Sequence, residues 1–444
     1  MYVEDRVTET VRLDSGAVSE IRSDRDVGAG LRVVGAGGRS GFAYTNVLTI
    51  DALIDAAWAA TMASDSEASG GEVARMDLRE RVVCRPVQWA DRPADRTDPA
   101  VKVDALRAVD AGARGVDKAV RNVLGIHVDT AQHVVVATSD GELRRDHRVR
   151  TRVTCRVTAR RDEQLQTGFA GPGAGRGMEL YADHPPDGIG ALAAGRALRA
   201  LAGVQPPTGP MPVVLGSAGG GLLLHEALGH GLEGDGLARG TSVNAPAFDE
   251  RIASPLLTAL DDPTLAQEYG SYAIDDAGTP ATATKLLETG VQVGALTDAD
   301  TAAQLGRPVT ANARRESYAH PPITRMSNTY VQPGKDDPTT IIADVNRGVY
   351  AVTLRGGDVD IATGEFAFTA SEAFLIEHGE VTRPLTGLTL LGNARNALGS
   401  VVAVGDDLAL TQALCGKDGQ HVPVSYGSPT LLVTGLSVAG GARG

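Results

Sequence analysis

His225, Glu226 and His230 are the residues of this sequence whose types and spacing most directly suggest chemistry. Two imidazoles can hold a zinc ion, and a carboxylate beside them can take a proton from a bound water, so the group suggests metal-dependent hydrolysis. In the familiar His-Glu-x-x-His helix the second histidine is four residues on, about 40° round the helix, whereas here it is five residues on, about 140° round. Either the match is accidental, or the helix contains a π-type widened turn near Gly229, a distortion that is frequent at functional sites.

A catalytic zinc usually has three protein ligands and keeps a fourth position for water, so one ligand remains to be identified. The local sequence offers Glu233, three residues past His230, and the alternative is a cysteine or histidine from a distant part of the chain. Cys415 is the strongest distant candidate, because residues 414–419 are typical of a tight turn that can present a thiolate. A thiolate donates more charge to zinc than a carboxylate does, which favours Cys415 as the third ligand. Glu233 would then contact one of the zinc ligands and would not bind the zinc itself. Glu226 is then the general base, which passes its proton on to the leaving amine.

Each of these residues also has a simpler interpretation that involves no metal. The two histidines of the motif can be unrelated residues on a buried glycine-rich segment. Cys415 taken alone is most simply a small buried apolar side chain, since free cysteines are commonly buried. His320 and His421 are further candidates for a site, but each is more simply a turn or surface histidine.

Two glycine-rich segments fail the tests for nucleotide binding. Lys417, after Gly416, superficially resembles the lysine of a phosphate-binding loop, but Thr411 and Asp418 stand where that loop needs a glycine and a serine or threonine. The glycines of residues 171–177 do not have the spacing of a dinucleotide-binding fingerprint. We therefore predict no nucleotide site.

The elements that must position the motif are a strand, a turn and a helix. An apolar run at residues 212–215 predicts the strand, residues 216–221 predict a glycine turn, and three leucines at 222–224 predict a helix that enters the core. Earlier in the chain, alternating segments between residues 7 and 45 predict a small antiparallel sheet. Helical spacing predicts three helices, at residues 49–63, 104–124 and 188–201. Alternating patterns predict further strands, at residues 133–137, 149–157 and 164–169.

The proline-rich segment 205–210 marks the clearest domain boundary in the sequence. Beyond the histidine motif the helical signal is weak. Strand-like runs prevail there, at residues 341–345, 348–354, 365–369, 373–376 and 430–433. The sequence thus predicts an α+β fold, with an N-terminal α/β region over residues 1–204 and a predominantly β catalytic domain over residues 205–444.

The overall composition is that of an ordinary globular protein. Its 444 residues, 42% of them hydrophobic, suffice to bury a large core in two or three domains. The net charge of −13 makes a nucleic-acid backbone an unfavourable partner. Three scattered cysteines, Cys84, Cys155 and Cys415, cannot form a disulfide framework and favour a reducing cytoplasm. No apolar signal core follows Met1, and prolines and glycines interrupt the uncharged stretch 200–224, so neither an export signal nor a membrane anchor is predicted.

The histidine motif and several other segments together resemble the TldD/PmbA family of zinc metallopeptidases, and the resemblance runs through most of the chain. Its most specific part is residues 225–235, His-Glu-Ala-Leu-Gly-His-Gly-Leu-Glu-Gly-Asp, which are similar to the family's extended His-Glu-x-x-x-His motif. Further similar segments lie at residues 28–45, 275–280, 325–329 and 415–420. Together these segments favour a real site over an accidental match.

The resemblance implies a zinc ion bound by His225, His230 and Cys415, with Glu226 as the catalytic residue. It also implies an α/β N-terminal region and a largely β catalytic region. Family members of this type commonly pair with a TldE/PmbA-like subunit that lacks the metal motif, and the pair degrades or trims unfolded peptides. Because this chain keeps the motif, it resembles the catalytic member of such a heterodimer.

The sequence therefore predicts a cytoplasmic zinc peptidase that cleaves unfolded or modified peptides with metal-activated water, with the peptide held in extended form at a sheet edge. Two alternatives stay open. An amidase that acts on a small peptide-like biosynthetic conjugate would use the same residues. A non-catalytic subunit with a structural zinc would close the site with four protein ligands instead of leaving a position for water.

Overall fold

The computed structural model describes residues 1–35, 38–64, 78–80, 87–245 and 247–440. Within them the chain is rich in strands and contains shorter helices, so the predicted α+β class is confirmed. Cys84, one of the three cysteines, lies outside the described residues. Among the helices in these ranges, none is both long enough and apolar enough to span a bilayer.

The N-terminal part is built on an eight-stranded sheet. Its strands are β1 (Tyr2–Asp14), β2 (Ala17–Val34), β3 (Ser40–Thr45), β4 (Arg79–Glu80), β5 (Val120–Ala137), β6 (Glu142–Arg161), β7 (Gln164–Ala170) and β8 (Gly173–Ala174). The order across the sheet is β3-β2-β1-β5-β6-β4, and β7 and β8 also pair with β6. All pairs are antiparallel except β4 with β6. The antiparallel sheet predicted for residues 7–45 is confirmed and forms one side of this larger sheet.

Helices pack against this sheet and complete the N-terminal core. They are α1 (Ile50–Ala63), α2 (Pro99–Val116), α3 (Leu180–Asp183) and α4 (Pro186–Leu201), with a 3₁₀ turn at Ala94–Arg96. The core between α2, α4 and the strands contains Leu106, Val109, Val153 and Ala193, all fully buried. Burying a side chain of the size of leucine or valine contributes about 1.5–3 kcal/mol, so this contact holds the helices on the sheet.

The predicted end of the second helix is wrong. α2 stops at Val116, whereas the spacing predicted a helix as far as Leu124. The apolar residues from Val120 onward also fit a strand, and they begin β5, where Leu124 lies opposite Asp14 on one side and Arg156 on the other. Strand pairing with β1 and β6 therefore decides a pattern that was ambiguous in the sequence.

The C-terminal part contains two large sheets. Its strands are β9 (Gly209–Leu215), β10 (Ala259–Asp261), β11 (Thr284–Glu288), β12 (Val291–Gln292), β13 (Ala313–Arg314), β14 (Ile323–Thr324), β15 (Asn328–Val331), β16 (Arg347–Val359), β17 (Glu365–Glu377), β18 (Glu380–Pro384), β19 (Leu388–Asn393), β20 (Val401–Val404), β21 (Ala409–Lys417), β22 (Gln420–Ser428) and β23 (Leu431–Gly440). A seven-stranded sheet has the order β16-β9-β23-β19-β17-β18, with β20 on β23, and a six-stranded sheet has the order β12-β11-β10-β15-β22-β21. A further pair is formed by β13 and β14. Strand β21 thus lies at an edge of its sheet.

Short helices connect and cover these sheets. They are α5 (Ser217–Leu224), α6 (Gly234–Ala238), α7 (Ala299–Leu305), α8 (Pro338–Ala343) and α9 (Ala394–Gly399). Helix α5 contacts β16 of the larger sheet and β22 of the smaller one, inside a core that includes Leu223, Leu228, Val349 and Val424. The chain therefore continues from α5 into the histidine motif deep within the C-terminal part. The predicted division into residues 1–204 and 205–444 falls between α4 and β9 and stays a prediction.

The strand predicted at residues 341–345 is wrong, because helix α8 covers most of it. The side chain of Asp337 caps this helix by accepting hydrogen bonds from the backbone N–H groups of Thr339 and Thr340. Pro338 occupies the first helical position, where its missing N–H costs nothing. An acidic cap followed by proline was the local signal for a helix start.

Candidate metal centre

The two histidines of the motif lie on a widened helical turn. Directly after α5, His225–Gly229 form one π-helical turn, and His230–Leu232 follow as a 3₁₀ turn. The backbone N–H of His230 donates to the carbonyl of His225, five residues back, and the two ring centres are 5.0 Å apart. The predicted widened turn is confirmed. It brings together two side chains that a regular helix would place about 140° apart.

Glycines allow α5 to pack closely against strand β22. The prediction of a glycine turn at residues 216–221 is wrong, because α5 begins at Ser217 and contains most of this run. A Cβ atom at Gly221 would lie 2.9 Å from the Cα atom of Gly427 in β22. The run is therefore explained by a close approach of helix to strand, and not by a turn.

The structure brings Cys415 to the two histidines across about 190 residues of sequence. Its Sγ atom lies 3.1 Å from Nε2 of His225 and 3.3 Å from Nε2 of His230. The three donor atoms all lie within 4.8 Å of one another, and the three side chains are buried. Among the described residues, this is the group of histidine, cysteine and acidic side chains whose spacing suits a metal ion.

The chemistry and spacing of these donors fit zinc. A tetrahedral zinc with a sulfur at about 2.3 Å and a nitrogen at about 2.0–2.1 Å places these two atoms about 3.6 Å apart. The observed separations of 3.1 and 3.3 Å are a few tenths of an ångström shorter, so a small outward movement of the side chains would admit the ion. One thiolate with two imidazoles is also a donor set that suits this metal.

Cys415 lies in strand β21, and not within a turn as predicted. The turn of the hairpin between β21 and β22 is formed by Asp418 and Gly419, whose φ angles of +50° and +74° are left-handed. Burial alone would raise the pKa of Cys415, but the charge of His225 and hydrogen bonds from both histidines lower it to about 4. The thiolate is thus the favoured form at neutral pH, and the thiolate is the form that binds metals.

Glu226 lies at the more open side of the donor group. Its Oε2 atom is 3.9 Å from Nε2 of His230, and its side chain is 21% exposed, so it is accessible from outside. Burial raises the pKa of Glu226 above its usual range, although the two histidines act against this. Tyr426 of β22 also borders the site, with its ring centre 5.5 Å from that of His225. A carboxylate with a raised pKa beside the donors is suited to taking up and returning a proton.

Glu233 touches a histidine of the donor group and not the group's centre. Its Oε2 atom lies 3.0 Å from Nδ1 of His230 and 3.0 Å from Nζ of Lys417. Burial would raise the pKa of Glu233, but His230 and Lys417 outweigh it and lower the value to about 2. A carboxylate on the far nitrogen of a ligating histidine fixes the tautomer and the orientation of the ring.

Sequence reasoning missed two residues that organise the Cys415 side of the site. Lys417 points towards Glu233, and the fully buried Arg325 donates to the carbonyl oxygens of Cys415 and Gln420. Lys417 shares a face of strand β21 with Cys415, but the sequence predicted a turn there and so gave no signal for this pairing. No local signal pointed to Arg325, which acts across the fold.

The remaining histidine candidates lie outside the donor group. His320 makes a hydrogen bond of 2.9 Å with the hydroxyl of Ser317. His421 is a surface residue near Glu316, with 63% of its side chain exposed. Both fit the simpler interpretation as turn and surface residues.

Models of known protein families match nearly the whole chain. The PmbA/TldA metallopeptidase C-terminal domain matches residues 208–440, the central domain matches residues 92–201, and domain 1 matches residues 1–63. The metalloprotease TldD homolog of Haemophilus influenzae is 34% identical over 447 residues, which cover 99% of this chain and 92% of the relative. A metalloprotease of Methanothermobacter thermautotrophicus is 32% identical over 454 residues, which cover 99% of this chain and 97% of the relative.

A solved structure with the same fold is TldE from Thermococcus kodakarensis. It superposes with a TM-score of 0.76 at 21% identity, over 99% of this chain and 97% of the TldE chain. At this identity the likeness shows a common fold and no more.

Proposed function

This chain belongs to the PmbA/TldD family of metallopeptidases, and on that premise we propose that it is a zinc-dependent peptidase that cleaves unfolded or modified peptides. The observation that carries the proposal is the buried group of His225, His230 and Cys415 with Glu226 beside it. These residues supply three metal donors and one proton acceptor within a single site. In a purely apolar core, burying these polar side chains would cost free energy of folding without a compensating interaction.

The residues divide the work of hydrolysis between them. When bound, the ion supplies Lewis acidity, which polarises a substrate carbonyl and lowers the pKa of a coordinated water. Glu226 accepts the proton that the attacking water loses, and it then gives this proton to the nitrogen of the leaving amine. Glu233 holds the ring of His230 through its Nδ1 atom.

The number of protein donors distinguishes this proposal from a structural zinc. Structural zinc sites usually have four protein ligands, and catalytic sites have three with one open position. The described donor group has three members, because Glu233 is engaged with His230 and Lys417. This arrangement favours a catalytic site over a non-catalytic subunit.

A peptide substrate in extended form suits the position of Cys415. Strand β21, which carries it, is at the edge of the six-stranded sheet and pairs with β22 on one side. An extended peptide can add to such an edge through main-chain hydrogen bonds, which do not depend on the side-chain sequence. An amidase for one small conjugate remains the alternative, and activity on such a conjugate but on no member of a peptide library would favour it.

We also propose that the active form is a heterodimer with a TldE/PmbA-like subunit in the cytoplasm. Membership of the family and a common fold with TldE support the partner. Cys155 and Cys415, the cysteines of the described residues, form no disulfide, which fits a reducing compartment. A net charge of −13 argues against nucleic acid as a partner.

Digestion of a peptide library tests this proposal. The purified chain, loaded with zinc, is incubated with the library alone and together with a co-expressed TldE-like subunit. We expect cleavage of extended peptides that stops on chelation and returns with zinc, with about one zinc per chain by metal analysis. Full activity in a verified metal-free preparation would refute the zinc mechanism.

A further inference from the structure

Lys417 lies on the same face of β21 as Cys415 and has all three of its N–H donors engaged. Its Nζ atom is 3.0 Å from Oε2 of Glu233, 2.7 Å from Oδ1 of Asp235 and 3.0 Å from the carbonyl oxygen of Thr324. The side chain is only 13% exposed. An ammonium group with three acceptors has no donor left for a phosphate or another ligand. The contacts of Lys417 are therefore all internal.

These contacts join the two elements that carry the metal donors. Glu233 receives Lys417 and His230 on the same oxygen, Oε2, at 3.0 Å each. The widened turn, which supplies both histidines, is thus connected to the hairpin that supplies Cys415. The path from Cys415 along two residues of strand to Lys417, then to Glu233 and to the imidazole, consists of direct contacts only.

We propose that Lys417 is a positioning residue for the metal centre, which sets the affinity for the ion by tying the strand of Cys415 to the turn of His230 through Glu233. This inference rests on the proposed function, because it takes the three donors to be ligands. Without the lysine, Glu233 loses its ion pair with the ammonium group, and the hairpin loses its direct link to the histidine turn. Asp235 and Thr324 hold the ammonium group in place, and Asp235 is itself fixed by the hydroxyl of Thr324 at 2.7 Å.

The test compares two variants, each of which removes one cation that contacts Glu233 or Asp235. Lys417→Met keeps an unbranched stem of four heavy atoms but lacks the ammonium group, so it removes the contact with Glu233. Arg239→Met is the matched control, because Arg239 pairs with Asp235 at 3.0 Å but is 63% exposed and does not touch Glu233. Zn²⁺ and Co²⁺ affinities are measured by competition with a chromogenic chelator on the full-length chain. The visible absorption of the Co²⁺ form reports the geometry of the donors independently of catalysis.

We expect Lys417→Met to weaken metal binding by about 10- to 100-fold, the size typical of outer contacts to metal ligands, and to change the Co²⁺ spectrum. Arg239→Met should leave both unchanged, and Lys417→Arg should recover part of the affinity. If Lys417 acts through Glu233, the double variant Glu233→Gln/Lys417→Met should lose clearly less than the product of the two single losses.

Wild-type affinity and spectrum in a folded Lys417→Met protein would overturn the inference, and so would losses in the double variant that simply multiply. If Lys417→Met does not fold, as judged by thermal melting of the metal-free protein, Lys417→Gln replaces it. Weaker metal binding and a changed Co²⁺ spectrum in Lys417→Gln, partly recovered in Lys417→Arg, would support the positioning role, whereas wild-type values in Lys417→Gln would overturn it. Failure of the wild-type chain to bind either metal would instead overturn the proposed function.

Discussion

Gly221→Ala tests whether the close contact between α5 and β22 sets the geometry of the metal centre. The added Cβ atom would lie 2.9 Å from the backbone of Gly427 and from a ring carbon of Tyr426, whereas ordinary contact begins at 3.4 Å. Helix and strand must therefore separate by about half an ångström, the difference between these two distances. Since α5 leads directly into His225 and β22 pairs with the strand of Cys415, the separation would move the donors apart.

Two effects on stability oppose each other in this variant. Alanine is better than glycine inside a helix by about 0.8–1.0 kcal/mol. Overpacking of a tight contact typically costs about 1–3 kcal/mol. The contact at Gly221 is with backbone atoms that cannot rotate away, so we expect overpacking to win and the free energy of unfolding to fall by up to about 2 kcal/mol. A displacement of about 1 Å at a site can reduce the rate about 100-fold, so half of that displacement should lower kcat/KM about 10-fold.

Urea unfolding and peptide cleavage measure these two effects side by side. Gly188→Ala is the control, because Gly188 lies in helix α4 with no atom near the position of its Cβ. It should be stabilised by up to about 1 kcal/mol and keep wild-type kcat/KM. The reasoning would be refuted if Gly221→Ala were stabilised like Gly188→Ala and cleaved peptides at the wild-type rate.

Glu226→Gln should bind zinc normally and lose about 10²- to 10⁴-fold in turnover, because the amide cannot accept the proton; undiminished turnover would remove Glu226 from the mechanism. Cys415→Ala should lose zinc and activity together, whereas Glu233→Gln should keep zinc and lose about 10- to 100-fold in activity. If metal analysis found zinc in Cys415→Ala and none in Glu233→Gln, Glu233 would be the ligand. Because the pKa of Glu233 falls from 4.5 to about 2 on folding, its charge stabilises the protein fully above pH 4.5, and this stabilisation is lost as the pH falls towards 2. In urea titrations of metal-free protein, the difference in unfolding free energy between wild type and Glu233→Gln should therefore narrow over that interval, and a constant difference would contradict the ion pairing.

Local patterns in the sequence predicted most elements of the N-terminal part, because strand alternation and helical spacing reflect one buried face. They failed where a residue run fitted two periods, as at Val120–Leu124, and only pairing with β1 and β6 selected the strand. They failed again at Gly221, where composition indicated a turn but the requirement comes from a neighbouring strand. Contacts between distant segments decide such cases, and these are not written in the local sequence.

The same division applies to the site. The spacing of His225 and His230 allowed either an accidental match or a widened turn, because a regular helix cannot bring the two rings together, and the structure contains the widened turn. The chemistry of its thiol made Cys415 a candidate from the residues alone, and the family resemblance implied the same ligand. Its contact with His225 across about 190 positions has no local signal and became visible only in the structure. The turn predicted at residues 414–419 concealed that Lys417 and Cys415 share a strand face. Glu233 was a candidate in the sequence, but its contact with Lys417 was not predicted.

Zinc X-ray absorption of the zinc-loaded chain tests the central claim, that His225, His230 and Cys415 hold a catalytic ion, most directly. We predict one sulfur neighbour at about 2.3 Å and three nitrogen or oxygen neighbours at about 2.0–2.2 Å, with scattering from two imidazole rings. A spectrum without a sulfur neighbour, or one in which four protein ligands leave no position for water, would contradict the account.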